Sequence, residues 1–423
     1  MKPWTLLRSS SATVLLPVLL CFIVLLLRDT ITMTVTAGYG PSVLGRATYA
    51  LPFAIAACAA SAAWEGARLR RGGVFGQAPA RGRLGIVLPV LVPVWLMGVL
   101  GLLTSLAVSV VATGAAPAPS HLGMLGADGL LLAAATLTGY LAGRLLPGVV
   151  AAPVALTAGF CLAAFPVSMS SGWPRQLVAA AFSECCSLDS VIDPRAVWAP
   201  VAFAGGLCAA ALLLVHRPTL RNRAVALLLA AAGTAAALPP AVGLGYSPVT
   251  ARDESELVCD TGGRPEVCLW PEVAADGQVV AQTRTFAARL EQAGVRLPPT
   301  LTDARDLAPG EARLGIKNRP RDAEDIAYAL ASAVLPPGGL PECARITGRF
   351  LAAPALVPLS AWVTAVALQS PPRSGQISPD DAALLQQVLR APREQQLAWY
   401  EYNRQALTTC DQPARLTLPG GAG

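Results

Sequence analysis

The chain has 423 residues, of which 54% are hydrophobic and only 14% charged, with a formal net charge of +6. A soluble protein of this length would need far more charge, so the composition excludes an ordinary soluble enzyme and points to a membrane protein. Two histidines, His121 and His216, are too few for the usual histidine-based chemistries.

Crossing about 30 Å of hydrocarbon takes about 20 mostly apolar residues in a helix, the one open-ended structure that satisfies its own backbone there. Seven stretches qualify: Ala12 to Leu27, Ala47 to Trp64, Leu84 to Ala112, Leu125 to Leu146, Val149 to Met169, Val197 to Val215 and Ala224 to Tyr246. Charge enters only at the ends of the fourth, as Asp128 and Arg144. Lys2 and Arg8 before the first stretch resemble a signal-peptide start, but Arg28, Asp29 and Thr30 stand where a small-residue cleavage site belongs, so the first span is read as uncleaved.

Cytoplasmic loops retain Lys and Arg. With the N-terminus inside, the cytoplasmic flanks hold eleven basic residues (Lys2, Arg8, Arg68, Arg70, Arg71, Arg81, Arg83, Arg144, Arg217, Arg221 and Arg223), and the opposite flanks hold four, Arg28, Arg46, Arg175 and Arg195. Seven spans then put the C-terminal region outside the cytoplasm. The expected organisation is a transmembrane domain over 1–246, an extracytoplasmic domain over 247–418 and a disordered tail over 419–423.

Cysteines agree with that topology. Cys21, Cys58, Cys161 and Cys208 fall within spans, and the other six lie in the sixth span's preceding loop (Cys185, Cys186) or in the tail (Cys259, Cys268, Cys343, Cys410). An even number in an oxidising compartment reads as disulfides, here Cys259 with Cys268 and Cys343 with Cys410, although four cysteines allow three connectivities. A zinc site is disfavoured, because no Cys-x-x-Cys occurs and the tail has no histidine. Cys185 and Cys186 form a vicinal pair in the loop from Trp173 to Asp193, beside Glu184 and Asp189; that loop is open to folding against the tail or to a redox or metal role.

The tail carries 17 basic and 20 acidic residues and no basic, aromatic-studded face, so nucleic acid is excluded as a partner. Arg252 to Asp276 reads as a tied loop leading into a short strand near Val267 to Leu269, with a second strand at Arg313 to Ile316. Helices are expected over Thr283 to Ala293, over Asp322 to Leu335 with an Asp N-cap, from Ser378 to about Arg390 with a Ser-Pro-Asp-Asp start, and after Pro392 toward Cys410. Phe350 to Gln369 is uncharged over twenty residues and could form an eighth span; Pro354, Pro358 and its polar residues favour a buried helix in the tail's core. The predicted fold is an all-α polytopic membrane protein with a mainly helical, disulfide-tied extracytoplasmic domain.

No His-Glu-x-x-His pair, no Gly-x-Ser-x-Gly elbow and no phosphate-binding Gly-x-x-x-x-Gly-Lys loop is present, so no catalytic, cofactor-binding or metal-binding set is assigned and the chain is read as a non-enzyme. The remaining motifs are the basic exit from the second span, Trp64-Glu65-Gly66-Ala67-Arg68-Leu69-Arg70-Arg71-Gly72-Gly73, and Val267-Cys268-Leu269-Trp270-Pro271-Glu272 in the tail.

The basic N-terminus, Ala-rich spans, that exit sequence and the Cys-Leu-Trp-Pro-Glu motif together resemble ABC-2-type permease-like proteins of actinobacteria. The resemblance implies a separate ATP-binding subunit docked on cytoplasmic loops, with the coupling site mapping onto Glu65, Arg68, Arg70, Arg71, Arg81 and Arg83, and a dimer or a permease hetero-partner in the lipid bilayer. The chain departs from that pattern by its seventh span, where six with both ends inside are usual. The alternative expectation is a membrane-anchored extracytoplasmic binding or sensing module without transport activity.

Overall fold

In the computed structural model the chain divides into two compact units, Met1–Arg252 and Asp253–Gly423. The structure describes the chain apart from residues 1–9, 29–35, 37, 78–81, 179–184, 317–321, 337–340, 342–343, 345–349, 374–376 and 419–423. Lys2, Arg8, Asp29, Thr30, Arg81, Glu184, Cys343 and the expected disordered tail therefore lie outside the described residues.

In the first unit seven helical segments are long and apolar enough to cross a membrane: Ser11–Arg28, Gly40–Arg71, Arg83–Thr113, Gly123–Leu145, Gly148–Ser168, Pro194–His216 and Leu220–Leu244. They indicate a multi-pass membrane protein. We label the helices α1 (Ser11–Arg28), α2 (Gly40–Ala47), α3 (Leu51–Arg71), α4 (Arg83–Thr113), α5 (Gly123–Leu145), α6 (Gly148–Ala164), α7 (Trp173–Val178), α8 (Pro194–His216) and α9 (Leu220–Leu244), with α2 and α3 joined by a turn of 3-10 helix into one span. That span is the most enclosed of the seven, with 83% of its most apolar window buried. It packs on α5, α6, α4 and α1.

Small side chains make this enclosure feasible. A Cβ added at Gly139 of α5 would lie 2.8 Å from Ala59 Cα, and one at Gly143 would lie 2.8 Å from Ala63 Cα. The two helices thus approach at backbone contact along a Gly-x-x-x-Gly face against Ala59 and Ala63, the packing that serves helices when apolar burial alone cannot drive association in lipid.

A two-stranded antiparallel ribbon completes the unit, with β1 (Ser190–Ile192) pairing β2 (Val249–Ala251). This pairing keeps residues through Arg252 with the first unit, six residues beyond the boundary expected from hydropathy. Cys185 and Cys186 are bonded to each other. Their loop lies on the start of the second span, where Thr36 Oγ1 donates to Cys186 O at 3.2 Å and Tyr39 OH donates to Ser190 O at 2.7 Å.

The second unit is not all helical. Four strands, β3 (Val258–Asp260), β4 (Glu266–Leu269), β5 (Thr300–Thr302) and β6 (Glu311–Arg313), form one sheet in that order. β3 and β4 are antiparallel, while β4, β5 and β6 are mutually parallel. The parallel step from β4 to β5 is spanned by α10 (Pro271–Ala274) and α11 (Gly277–Gln292), as parallel pairing requires a crossover. The expected loop around Cys259 is thus a strand, and the expected strand at Arg313 to Ile316 sits at Glu311–Arg313.

The helices α12 (Ala323–Val334), α13 (Leu356–Leu368), α14 (Pro379–Arg390) and α15 (Arg393–Ala406) follow. Asp322 accepts from Asp325 N at 2.9 Å in a reciprocal capping box, and Ser378 Oγ accepts from Asp381 N at 3.2 Å. The uncharged stretch considered as an eighth span forms a helix over Ala353–Leu368, a turn of 3-10 helix followed by α13, too short to cross a bilayer. Its Leu359, Trp362 and Val363 are fully or almost fully buried. Trp362 lies 5.0 Å from the Tyr400 ring and donates its indole N–H to Gln396 Oε1 at 2.9 Å, so the indole's polar edge is satisfied. Burial pushes the Tyr400 hydroxyl up to about 12.

Candidate functional site

The basic exit of the second span gathers Glu65, Arg68, Arg70 and Arg71 over two turns of α3. Arg68, Arg70 and Arg71 occupy the last turn of α3, where cations complement the helix dipole, and the helix stops at Gly72 and the left-handed Gly73.

Glu65, one turn earlier, is fully buried. Its Oε1 accepts from Ser11 N at 2.9 Å, and Arg68 Nη2 lies 2.8 Å from its Oε2. Ser11 Oγ lies 2.6 Å from Ser61 Oγ. The start of α1 is therefore capped by side chains of α3, which supply an acceptor to a backbone donor that has no partner within its own helix.

Arg70 treats the opposite kind of helix end. It donates through Nη1 to Arg144 O at 2.9 Å and through Nη2 to Leu146 O at 2.6 Å, satisfying carbonyls left open at the C-terminus of α5. Arg71 stacks over the Trp64 ring at 5.5 Å, and Arg83 and Arg144 lie over Phe75 at 5.6 and 4.8 Å. Of the six residues mapped to a coupling site, five are thus brought to one end of the first unit, and Arg81 lies outside the described residues.

An apolar groove of about 620 Å³ opens beside this cluster, between α1, α3 and α6, with Val14, Leu15, Trp64, Pro153 and Leu156 among its walls. A second cavity of about 320 Å³ lies between α3, α5, α6, α7 and α8 and is apolar apart from Thr138.

Sequence reasoning placed Asp128 at a span end. In the structure it stands inside α5 and is fully buried, with neither carboxylate oxygen hydrogen-bonded among the described residues. The charge in an apolar run was visible in the sequence; its enclosure by neighbouring helices was not.

In the second unit Cys259 and Cys268 face each other in register on β3 and β4 and are bonded. Glu266 has a ligand atom within 4.8 Å of both sulfurs, but the bond removes the two thiolates that a metal would need. Cys410 is also disulfide-bonded. Arg284 holds the Asp260 carboxylate through contacts at 2.9 and 3.2 Å, and the Gly262 N–H first and this guanidinium second keep that carboxyl below the usual range. Arg373 bridges Asp322 at 2.7 Å and Glu324 at 3.3 Å. A cavity of about 340 Å³ lies against α12 and α13, with Tyr328, Ser332, Ser360 and Thr364 as its polar walls.

Residues 267–410, about a third of the chain, match a family described as a domain of unknown function (DUF7224). No curated protein and no solved structure matches the chain. The similarity is confined to the second unit, and it begins at the β4 segment that carries the Cys-Leu-Trp-Pro-Glu motif.

Proposed function

We propose that the chain is the permease-like subunit of an ATP-driven export system, with its ATPase on another polypeptide and the second unit on the extracytoplasmic side. One observation carries this reading: the basic exit of the second span binds the ends of two other candidate spans, through Glu65 to Ser11 and through Arg70 to Arg144 and Leu146. A partner that pulls on this segment acts on three helices at once, which is the mechanical property a coupling site needs. These 423 residues contain no Gly-x-x-x-x-Gly-Lys phosphate-binding loop, which is why the reading places the ATPase on another polypeptide.

The test is affinity purification of the tagged chain from its native membrane in mild detergent, alongside a variant with Arg68, Arg70 and Arg71 replaced by Gln. Recovery of an ATP-binding chain with the parent but not the variant supports the reading. Failure to recover any ATP-binding chain with the parent sinks it.

A second reading is favoured by the 340 Å³ cavity and the independent core of the second unit: a membrane-anchored binding or sensing module whose spans only hold it. It predicts that the parent co-purifies without an ATPase and that a small ligand shifts the melting of residues 253–423.

A further inference from the structure

The groove between α1, α3 and α6 combines an apolar wall with a cationic end. Val14 is 73% exposed, Leu156 48% and Trp64 43%, so this face is stable only against an apolar medium. Between Gly148, at the start of α6, and Thr157, the groove residue farthest along that helix, a helix rises about 13 Å, close to the depth of one leaflet.

The groove's mouth is chemically different from its floor. Trp64 belongs to its wall and carries the Arg71 guanidinium over its ring. Arg71 Nη2 lies 3.3 Å from where a Cβ on Gly148 would stand, so the cation sits against the first turn of α6, whose leading N–H groups point out of the helix. Arg68 and Arg70 are committed to Glu65 and to the α5 carbonyls, whereas Arg71 has no hydrogen bond or ion pair among the described residues. A free planar guanidinium, a helix N-terminus and an interfacial tryptophan around one opening are what a phosphodiester headgroup requires, and the groove below suits its acyl chain.

We infer that this groove is a binding site for an anionic phospholipid, with the phosphate on Arg71 and the first turn of α6 and one acyl chain along Val14, Leu15, Pro153 and Leu156. The site rests neither on the chain's being a transporter nor on its orientation, since it requires only that the seven helices lie in a bilayer. A zwitterionic lipid fits the floor equally well and gains less at the mouth, where its own cation opposes Arg71.

The experiment is native mass spectrometry of the full-length protein in detergent, titrated with phosphatidylglycerol or phosphatidylcholine of matched acyl chains, for the parent, Arg71→Gln and Leu156→Trp. Both substitutions lie on an exposed face, and the two act on different ends of the site. The parent should bind phosphatidylglycerol at least fivefold more tightly than phosphatidylcholine; Arg71→Gln should erase about fivefold of that preference, the worth of one arginine near anionic lipid. Leu156→Trp should weaken both lipids while keeping the preference. Equal binding of the two lipids by the parent, unchanged phosphatidylglycerol binding in both variants, displacement of the lipid by inorganic phosphate alone, or a second copy of the chain appearing in place of the lipid would each overturn the assignment.

Discussion

Ser11 donates its backbone N–H to Glu65 across 2.9 Å, although 54 residues separate them. The first turn of one candidate span is thus finished by the last turns of another. Replacing Glu65 by Ala leaves that donor open and removes the carboxylate that Arg68 pairs with at 2.8 Å. We expect a loss of about 2 kcal/mol, typical for a hydrogen bond to a charged group, seen as a lower melting temperature in detergent. Glu65→Gln keeps the acceptor and should lose less; equal losses would show that the cap is irrelevant.

Gly143 and Gly126 lie on the same helix in opposite circumstances. Gly143→Ala drives a Cβ into the Ala63 backbone, whereas a Cβ at Gly126 meets nothing within 4 Å. The first change should cost about 3 kcal/mol or abolish folding, as overpacking does. The second should be neutral or stabilise by up to about 1 kcal/mol through helix propensity. Thermal melting of the two variants side by side decides it.

Acid should loosen the second unit. The Asp322 carboxylate is held below its ordinary value by the Asp325 N–H first and Arg373 after it, and Asp260 is held down in the same sense. A depressed folded value means stability that is present above the unfolded value of about 3.9 and is lost as pH falls through the folded one. Asp325 has the opposite sign, raised by burial first and by the Asp322 charge, so its protonation gives a little back. Heat-pulsed proteolysis of the full-length protein, read by cleavage within residues 253–423, should stay level from pH 7 to about 5 and increase below about pH 4. Asp322→Asn should flatten that dependence.

Topology is open to direct labelling. Gly76 is exposed near the basic end of the first unit, and Tyr328 is 56% exposed in the second. In right-side-out cells an impermeant thiol reagent should modify Tyr328→Cys and spare Gly76→Cys until the membrane is opened. The reverse pattern would invert the orientation.

The seven spans were legible because hydrocarbon thickness imposes a length that few other segments meet, and the helix starts at Asp322 and Ser378 because capping chemistry is local. The strands β3 and β5 were not. Each has three residues, too few for alternation to register; Val258-Cys259-Asp260 is set by a short hairpin to β4, and Thr300-Leu301-Thr302 by a parallel partner across the α10 and α11 crossover. The cluster around Glu65 was visible as a basic exit, with Arg68 one turn away. That the acid turns inward to a serine at the head of the first span has no local signature, since its cause is tertiary.

The candidate spans Gly40–Arg71 and Gly123–Leu145, which meet at backbone contact, are also the two least hydropathic and the two most enclosed of the seven. Their alanines and glycines suit each other better than they suit lipid. During synthesis the earlier one emerges before its counterpart and until then has only Ser11–Arg28 and Arg83–Thr113 to pack on. The assembly therefore has a vulnerable interval, in which a nascent chain ending before Gly123 lacks the most intimate neighbour of its central helix and offers that unfilled face to quality-control proteases.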